Sequence, residues 1–303
     1  MSAKAESTTT KYKASWTKWE TWASSKPEIT KFPVNPFQFA LYISHLSSTG
    51  SKSTAELAAA AVKWVHSLAG LPSPTDNSIV KMALQGFKRQ NSSPTIRKDP
   101  ITPDILTKLH INHGHSSATL ADLRILFVCF ISYAGFLRFD DIRNISRNDC
   151  TISSDRLTIH LCKSKSDQFR QGTDVVIART FKPTCPVLVA ERYFSALGDS
   201  NNSTLPVLRR LVAPKKGLTS STKPLSYTRT REIVLDALRP IVPDVATYGL
   251  HSLRSGGASA AFNANVPPFL ISKQGRWKTE SARNVYFQLD NKSNLLATRN
   301  LGI

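Results

Sequence analysis

The stretch GLHSLRSGGASAAF, residues 249–262, sets His251 and Arg254 three apart and follows them with two glycines and a run of small residues. At that spacing both side chains lie on one face of a helix. Gly256 and Gly257 each weaken such a helix by about 0.5–1 kcal/mol relative to alanine. Side-chain bulk is therefore missing where something comes close, either a neighbouring element packed tightly or the backbone of a ligand.

Downstream, VPPFLISKQGRW (266–277) opens a helix at its prolines, stops it at Gly275 and continues directly into Trp277. A further helix is expected over about 279–289, and it contains Tyr286. Upstream, ILFVCFISYAGFL (125–137) is the longest apolar run. It is too short to span a bilayer, so it predicts a buried helix over 119–135 at the centre of a domain. Arg138 follows at once, with Asp141 on the same helical face; taken alone, this is a structural ion pair. Thr102 and Pro103 read as the N-cap and first residue of a helix ending near Gly114.

In DRLTIHLCKSKSDQFRQGTDVVIA (155–178), Leu157, Ile159 and Leu161 alternate with Thr158, His160 and Cys162, and Val175, Val176 and Ile177 resume after a polar tip. This predicts a β-hairpin. Its tip, about ten residues against a usual two to five, is of the length that more often carries function. The tip holds Lys163, Lys165 and Arg170. No other segment reads clearly as sheet, and the Pro- and Ser-rich 199–226 reads as neither sheet nor helix.

The first 95 residues read as helices, including Ser53–Gly70 and Asn77–Gln90. Trp16, Trp19 and Trp22 form one helical stripe, which favours a core-facing aromatic face over a base-stacking platform. NSSPTIRKDPITP (91–103) has no periodicity and reads as a linker. The expected organisation is a helical module over 1–92, a linker over 93–102 and a larger domain over 103–303, mainly α with a small β-hairpin.

Lys and Arg number 40 against 21 Asp and Glu, a net charge of +19 in 303 residues. Such an excess attracts polyanions, of which nucleic acid is the commonest. Cys129, Cys150, Cys162 and Cys185 form no CxxC pair, which argues against a disulfide framework or a zinc knuckle and for a reducing compartment. His110, His113 and His115 have no cysteine nearby and fall on a helix end and a glycine turn, so no metal site is expected there. Phosphate-loop, dinucleotide-binding and nucleophile-elbow motifs are absent from the sequence. With no apolar segment at the N-terminus, the chain reads as soluble and intracellular, with no membrane partner.

Taken together these residues resemble the tyrosine recombinases, or phage-type integrases. That family carries an Arg after a buried helix, a Lys on a β-hairpin, an H-x-x-R pair, a His or Trp after a glycine-containing turn, and a Tyr nine residues later. Here those positions are Arg138, Lys165, His251 with Arg254, Trp277 and Tyr286, with Lys165 27 residues after Arg138 and Tyr286 32 after Arg254. HSLRSGGAS, with Trp at the later position, is most similar to recombinases of eukaryotic mobile elements of the DIRS or Ngaro type, within the Xer-like set.

The resemblance implies an α+β catalytic domain and an all-helical core-binding domain that together clamp double-stranded DNA. It implies cutting and rejoining through a 3′-phosphotyrosyl bond to Tyr286, for integration or excision of a mobile element, with no cofactor or metal. Arg138 and Arg254 would clamp the phosphate, Lys165 or its rival Lys163 would protonate the leaving oxygen, His251 and Trp277 would line the site, and Asp141 would support an arginine. It further implies a homotetramer on two DNA sites, a monomer or dimer when free, and a nuclear location in a eukaryotic host. The tail after Tyr286 would dock on a neighbouring protomer through Leu295 and Leu296, or fray. Two alternatives share the pattern: a type IB topoisomerase-like enzyme, which more often has Lys or Arg where His251 stands, and a domesticated DNA-binding protein that no longer cuts.

Overall fold

A computed structural model describes residues 4–48, 52–92, 97–162, 172–212, 219–288, 295 and 298–301. The chain divides into two units, Met1–Ile96 and Arg97–Ile303.

In the first unit every element formed by the described residues is helical: α1 (Glu6–Ser24), α2 (Pro36–Ser47), α3 (Lys52–Leu68) and α4 (Ser78–Gln90), with one 3₁₀ turn at Pro74–Asp76. Asn35 starts α2 by accepting from the Phe37 and Gln38 amides, with Pro36 at the first helical position, and Asn77 caps α4 in the same way. The tryptophan stripe faces inward. Trp19 is fully buried against Phe39 and Tyr42, at ring separations of 5.6 and 5.4 Å, and its indole N–H donates to the Lys31 carbonyl. Trp16 and Trp22 pack beside it at the edge of the same core.

The second unit is built around α6 (Leu120–Ala134), started by a capping box between Thr119 and Asp122. Leu126, Phe127 and Ile131 of α6 are fully buried. Before it stands α5 (Pro103–His113), capped by Thr102, and after it the one-turn α7 (Phe139–Arg143). Strands β1 (Cys150–Ile152), β2 (Arg156–Leu161) and β3 (Thr173–Ala178) form an antiparallel sheet in that order. Leu157 pairs with Ile177 and Ile159 with Val175, so the alternating apolar side chains enter the core while Val176 faces out. Helix α8 (Pro186–Leu197) follows, then β4 (Arg209–Val212), β5 (Thr219–Pro224), α9 (Tyr227–Leu238), α10 (His251–Asn263), α11 (Pro268–Gly275) and α12 (Glu280–Asn284). The unit is mainly helical with small antiparallel sheets, the expected class.

Three details depart from the sequence reading. A second sheet, β4 with β5, lies inside the stretch 199–226 that reads as irregular. RRLV and TSSTKP have no apolar alternation to announce it; Arg209 is instead buried by an ion pair to Asp199, at 2.8 Å, and its carbonyl accepts from Arg124. The expected linker over 93–102 is shorter, because residues 97–102 belong to the second unit. There Ile101 is buried, and the amides of Asp99 and Ile101 donate to the carbonyls of Thr247 and Ser252. Helix α12 ends at Asn284, not near 289, so Tyr286 sits in the turn that follows it. No helix of the described residues is long and apolar enough to cross a membrane.

Candidate active site

Helix α10 supplies the centre of the site. Arg254 is completely buried. One arm of its guanidinium, Nη1, donates to the Phe136 carbonyl and the other, Nη2, to the Gly275 carbonyl at 2.6 Å. Those two carbonyls end separate chain segments, so the planar fork of an arginine joins the end of α6 to the end of α11. Its guanidinium carbon lies 4.4 Å from the centre of the Trp277 ring and 5.0 Å from that of Tyr286, a cation–π arrangement with both. Burial pulls the Arg254 guanidinium down to about 10; Arg138 and Arg276 add to the fall and the Tyr286 phenol opposes it. It therefore remains a cation at neutral pH.

The two aromatic neighbours complete one wall. The Trp277 ring lies 4.9 Å from that of Tyr286 and 6.2 Å from that of Phe136. The Trp277 indole nitrogen is buried with no hydrogen-bond partner among the described residues. His251, one turn before Arg254 and exposed, places its ring 5.1 Å from Tyr286. Four residues from three separated sequence motifs thus meet: His251, Arg254, Trp277 and Tyr286.

Arg138 stands at the N-terminal edge of α7, half-buried, close enough to lower Arg254 by charge repulsion. Its Nη1 is also buried without a partner among the described residues. Arg138 lines a shallow cavity of about 360 Å³ with Phe139, Asp140, Arg143, Ser226 and Tyr227. Lys165 and Lys163, which fall between β2 and β3 in sequence, lie outside the described residues.

Asp141 has a different partner from the one its spacing suggests. Its carboxylate accepts from the backbone N–H of Arg138 at 3.0 Å, capping α7, and pairs with the side chain of Arg276 at 2.9 Å. Arg276 is the residue the sequence reading missed. Its Nη1 donates to the carbonyls of Gly135 and Gln274 and its Nη2 to Phe136 and Asp141, so it staples the Gly135–Asp141 corner to the end of α11. It adopts left-handed backbone, φ +56°, ending α11 where a glycine is more usual. The only signal for it in sequence is its place in GRW, between two residues already singled out.

The glycines of α10 serve packing. A Cβ on Gly256 would collide with the Ile101 carbonyl and come within 2.9 Å of the Ile101 amide nitrogen. On Gly257 it would meet the Tyr133 carbonyl and come within 2.8 Å of the Phe136 ring. Small residues let α10 lie directly on the end of α6 and on segment 97–102, which is how Arg254 reaches the Phe136 carbonyl. The three histidines are engaged elsewhere: His113 pairs with Asp122 at 2.8 Å, His115 bonds with Ser117, and the His110 ring lies 6.2 Å from that of Phe130.

No protein-family profile matches the chain. It is 23% identical over 294 residues to an integrase/recombinase XerD homologue of Selenomonas ruminantium, across 95% of this chain and 83% of that protein. Its fold is similar to that of the Tn1549 transposon integrase in complex with transposon right-end DNA (TM-score 0.64, 11% identity, 100% of this chain and 96% of the other). It is similar also to a lambda integrase tetramer bound to a Holliday junction (TM-score 0.57, 13% identity, 95% and 73%). The comparisons thus show a shared fold and, with the XerD homologue, a likeness in sequence that runs through both units.

Proposed function

We propose that the protein is a site-specific DNA recombinase that cuts and rejoins DNA through a covalent bond to Tyr286. The observation that carries this reading is the stacking of the Tyr286 ring within 5.0 Å of a buried guanidinium, Arg254, flanked by His251 and Trp277. In the first transesterification the Tyr286 oxygen bonds to phosphorus, the bond from phosphorus to the 5′-oxygen breaks, and that oxygen leaves with a proton. Rejoining is the reverse attack by a 5′-hydroxyl. One phosphodiester-type bond replaces another, so no external energy source enters the balance.

Attack gathers negative charge on the non-bridging oxygens, and permanently charged arginines held in place before reaction stabilise it best. Arg138 and Arg254 take that role, and the unpartnered Nη1 of Arg138 and indole N–H of Trp277 add donors for an anion. A phenol is a poor nucleophile near neutral pH until a cationic neighbour favours its anion; Arg254 is that neighbour, and His251, its ring 5.1 Å from that of Tyr286, takes up the phenol proton. Lys165 or Lys163 supplies the leaving-group proton.

The net charge of +19 fits a DNA substrate. Assembly of four protomers on two DNA sites, and service to a mobile element of the DIRS or Ngaro kind, follow from the resemblance; the lambda integrase tetramer on a Holliday junction and the Tn1549 integrase on transposon DNA are its parallels. The test is to incubate the protein with a pool of nicked duplexes of randomised centre, from which the cut fragment diffuses away. A detergent-resistant adduct whose DNA maps to Tyr286 is the expected result, and none at any sequence overturns the reading.

A further inference from the structure

Tyr286 lies in a turn, yet the backbone around it is bonded to the helix that carries Arg254. The Ser259 hydroxyl, on α10 and buried, donates to the Tyr286 carbonyl at 2.9 Å and accepts from the Gln288 amide at 3.0 Å. One turn further along α10, Asn263 donates its amide to the Gln288 carbonyl at 3.3 Å. Between them Phe262 stacks on Phe287, with ring centres 4.2 Å apart. Positions 259, 262 and 263 form one face of a helix, and that face grips residues 286–288. Ser259 is placed to satisfy a donor and an acceptor of that segment at once, which apolar and small residues of α10 could not do.

We propose that Ser259 is a positioning residue for Tyr286: its hydroxyl latches the segment 286–288 to α10 and so sets the tyrosine ring against Arg254 and His251 of the same chain. The inference rests on the recombinase reading above. Ser259 does not touch the tyrosine ring; it acts through the backbone on either side of it. A ring carried on a short turn gains attack geometry only if that backbone is held, and misplacement of a reacting group by about an ångström can cost on the order of a hundredfold in rate.

The test compares Ser259→Ala with Ser259→Thr, which keeps the hydroxyl. Amide exchange of the peptide spanning 285–288 should quicken in Ser259→Ala and remain near wild type in Ser259→Thr. With the nicked-duplex pool, the single-turnover rate of adduct formation should fall about tenfold in Ser259→Ala, the loss expected of one net hydrogen bond, and recover to within about twofold in Ser259→Thr. DNA affinity should be the same in all three. Unchanged exchange, or faster exchange with an unchanged adduct rate, overturns the latch and leaves the recombinase reading intact. A fall in adduct rate that tracks a fall in DNA affinity overturns it as well. A wild-type protein that forms no adduct sinks the recombinase reading, and the role of Ser259 with it.

Discussion

Asp141 pairs with Arg276, 135 positions along the chain, at 2.9 Å, while it bonds to the backbone of its near neighbour Arg138, its carboxylate accepting from that residue's amide and its own amide donating to that residue's carbonyl. Both charged groups are almost fully buried. Burial costs each of them its hydration, so the pair holds only because each also bonds to backbone. The pair thereby carries two jobs, capping the helix that begins beside Arg138 and closing the corner that leads to Trp277.

Asp141→Ala should leave the Arg276 guanidinium buried without a counter-charge. A loss of about 3–5 kcal/mol in unfolding free energy is expected, read by urea denaturation. A loss no larger than that of an exposed ion pair would show that solvent reaches Arg276.

Tyr286→Phe should bind DNA as the wild type does and form no covalent adduct, as read on a denaturing gel. The ring and its contacts with Arg254 and Trp277 survive; only the hydroxyl is lost. Adduct formation by this variant would remove Tyr286 from the reaction.

In Arg254→Lys a single ammonium must replace a fork that reaches two carbonyls and faces two rings. Cleavage should fall by on the order of a hundred- to a thousandfold, measured as single-turnover adduct formation. Near-normal cleavage would count against the phosphate clamp.

Gly256→Ala drives a methyl group into the Ile101 backbone, which cannot yield as a side-chain tip would. Overpacking of this kind costs about 1–3 kcal/mol, or about 2–4 °C in melting temperature for each kcal/mol in a unit of this size. Calorimetry that shows no shift would mean that α10 and segment 97–102 are free to separate.

His66 is buried, and its Nε2 accepts from the Val34 amide at 3.2 Å. Burial holds its imidazole below the usual 6.5. The folded state therefore binds the proton less readily than the unfolded one. The stability His66 contributes is present above about pH 6.5 and is lost as pH falls through its lower folded value. The urea midpoint of the wild type should drop as pH falls below about 6.5, and His66→Gln should flatten that drop; equal slopes would assign it to other groups.

Much of the candidate site was legible because its members stand in uncommon residue pairs at short spacing. H-x-x-R, GRW and the tyrosine nine residues later each lie within a turn or two of local structure, and the structure brings His251, Arg254, Trp277 and Tyr286 within ring contact of one another. Arg276 escaped because its partners are backbone carbonyls of Gly135 and Phe136 and the carboxylate of Asp141, far away in sequence. The β4–β5 sheet escaped because its strands carry no alternating apolar residues, and the buried side chain of β4 is the charged Arg209, set against Asp199.

Periodicity, caps and spacing are local, and they alone give the helical class, the pairing of β2 with β3 through alternating apolar residues and the inward tryptophan stripe. Long-range packing settles which arginine Asp141 serves, where α12 stops and what the glycines of HSLRSGG accommodate. Those three depend on contacts between distant segments: Asp141 meets the buried Arg276, the segment that follows α12 bonds through Tyr286 and Gln288 to Ser259 of α10, and Gly256 and Gly257 are small because Ile101, Tyr133 and Phe136 lie against them.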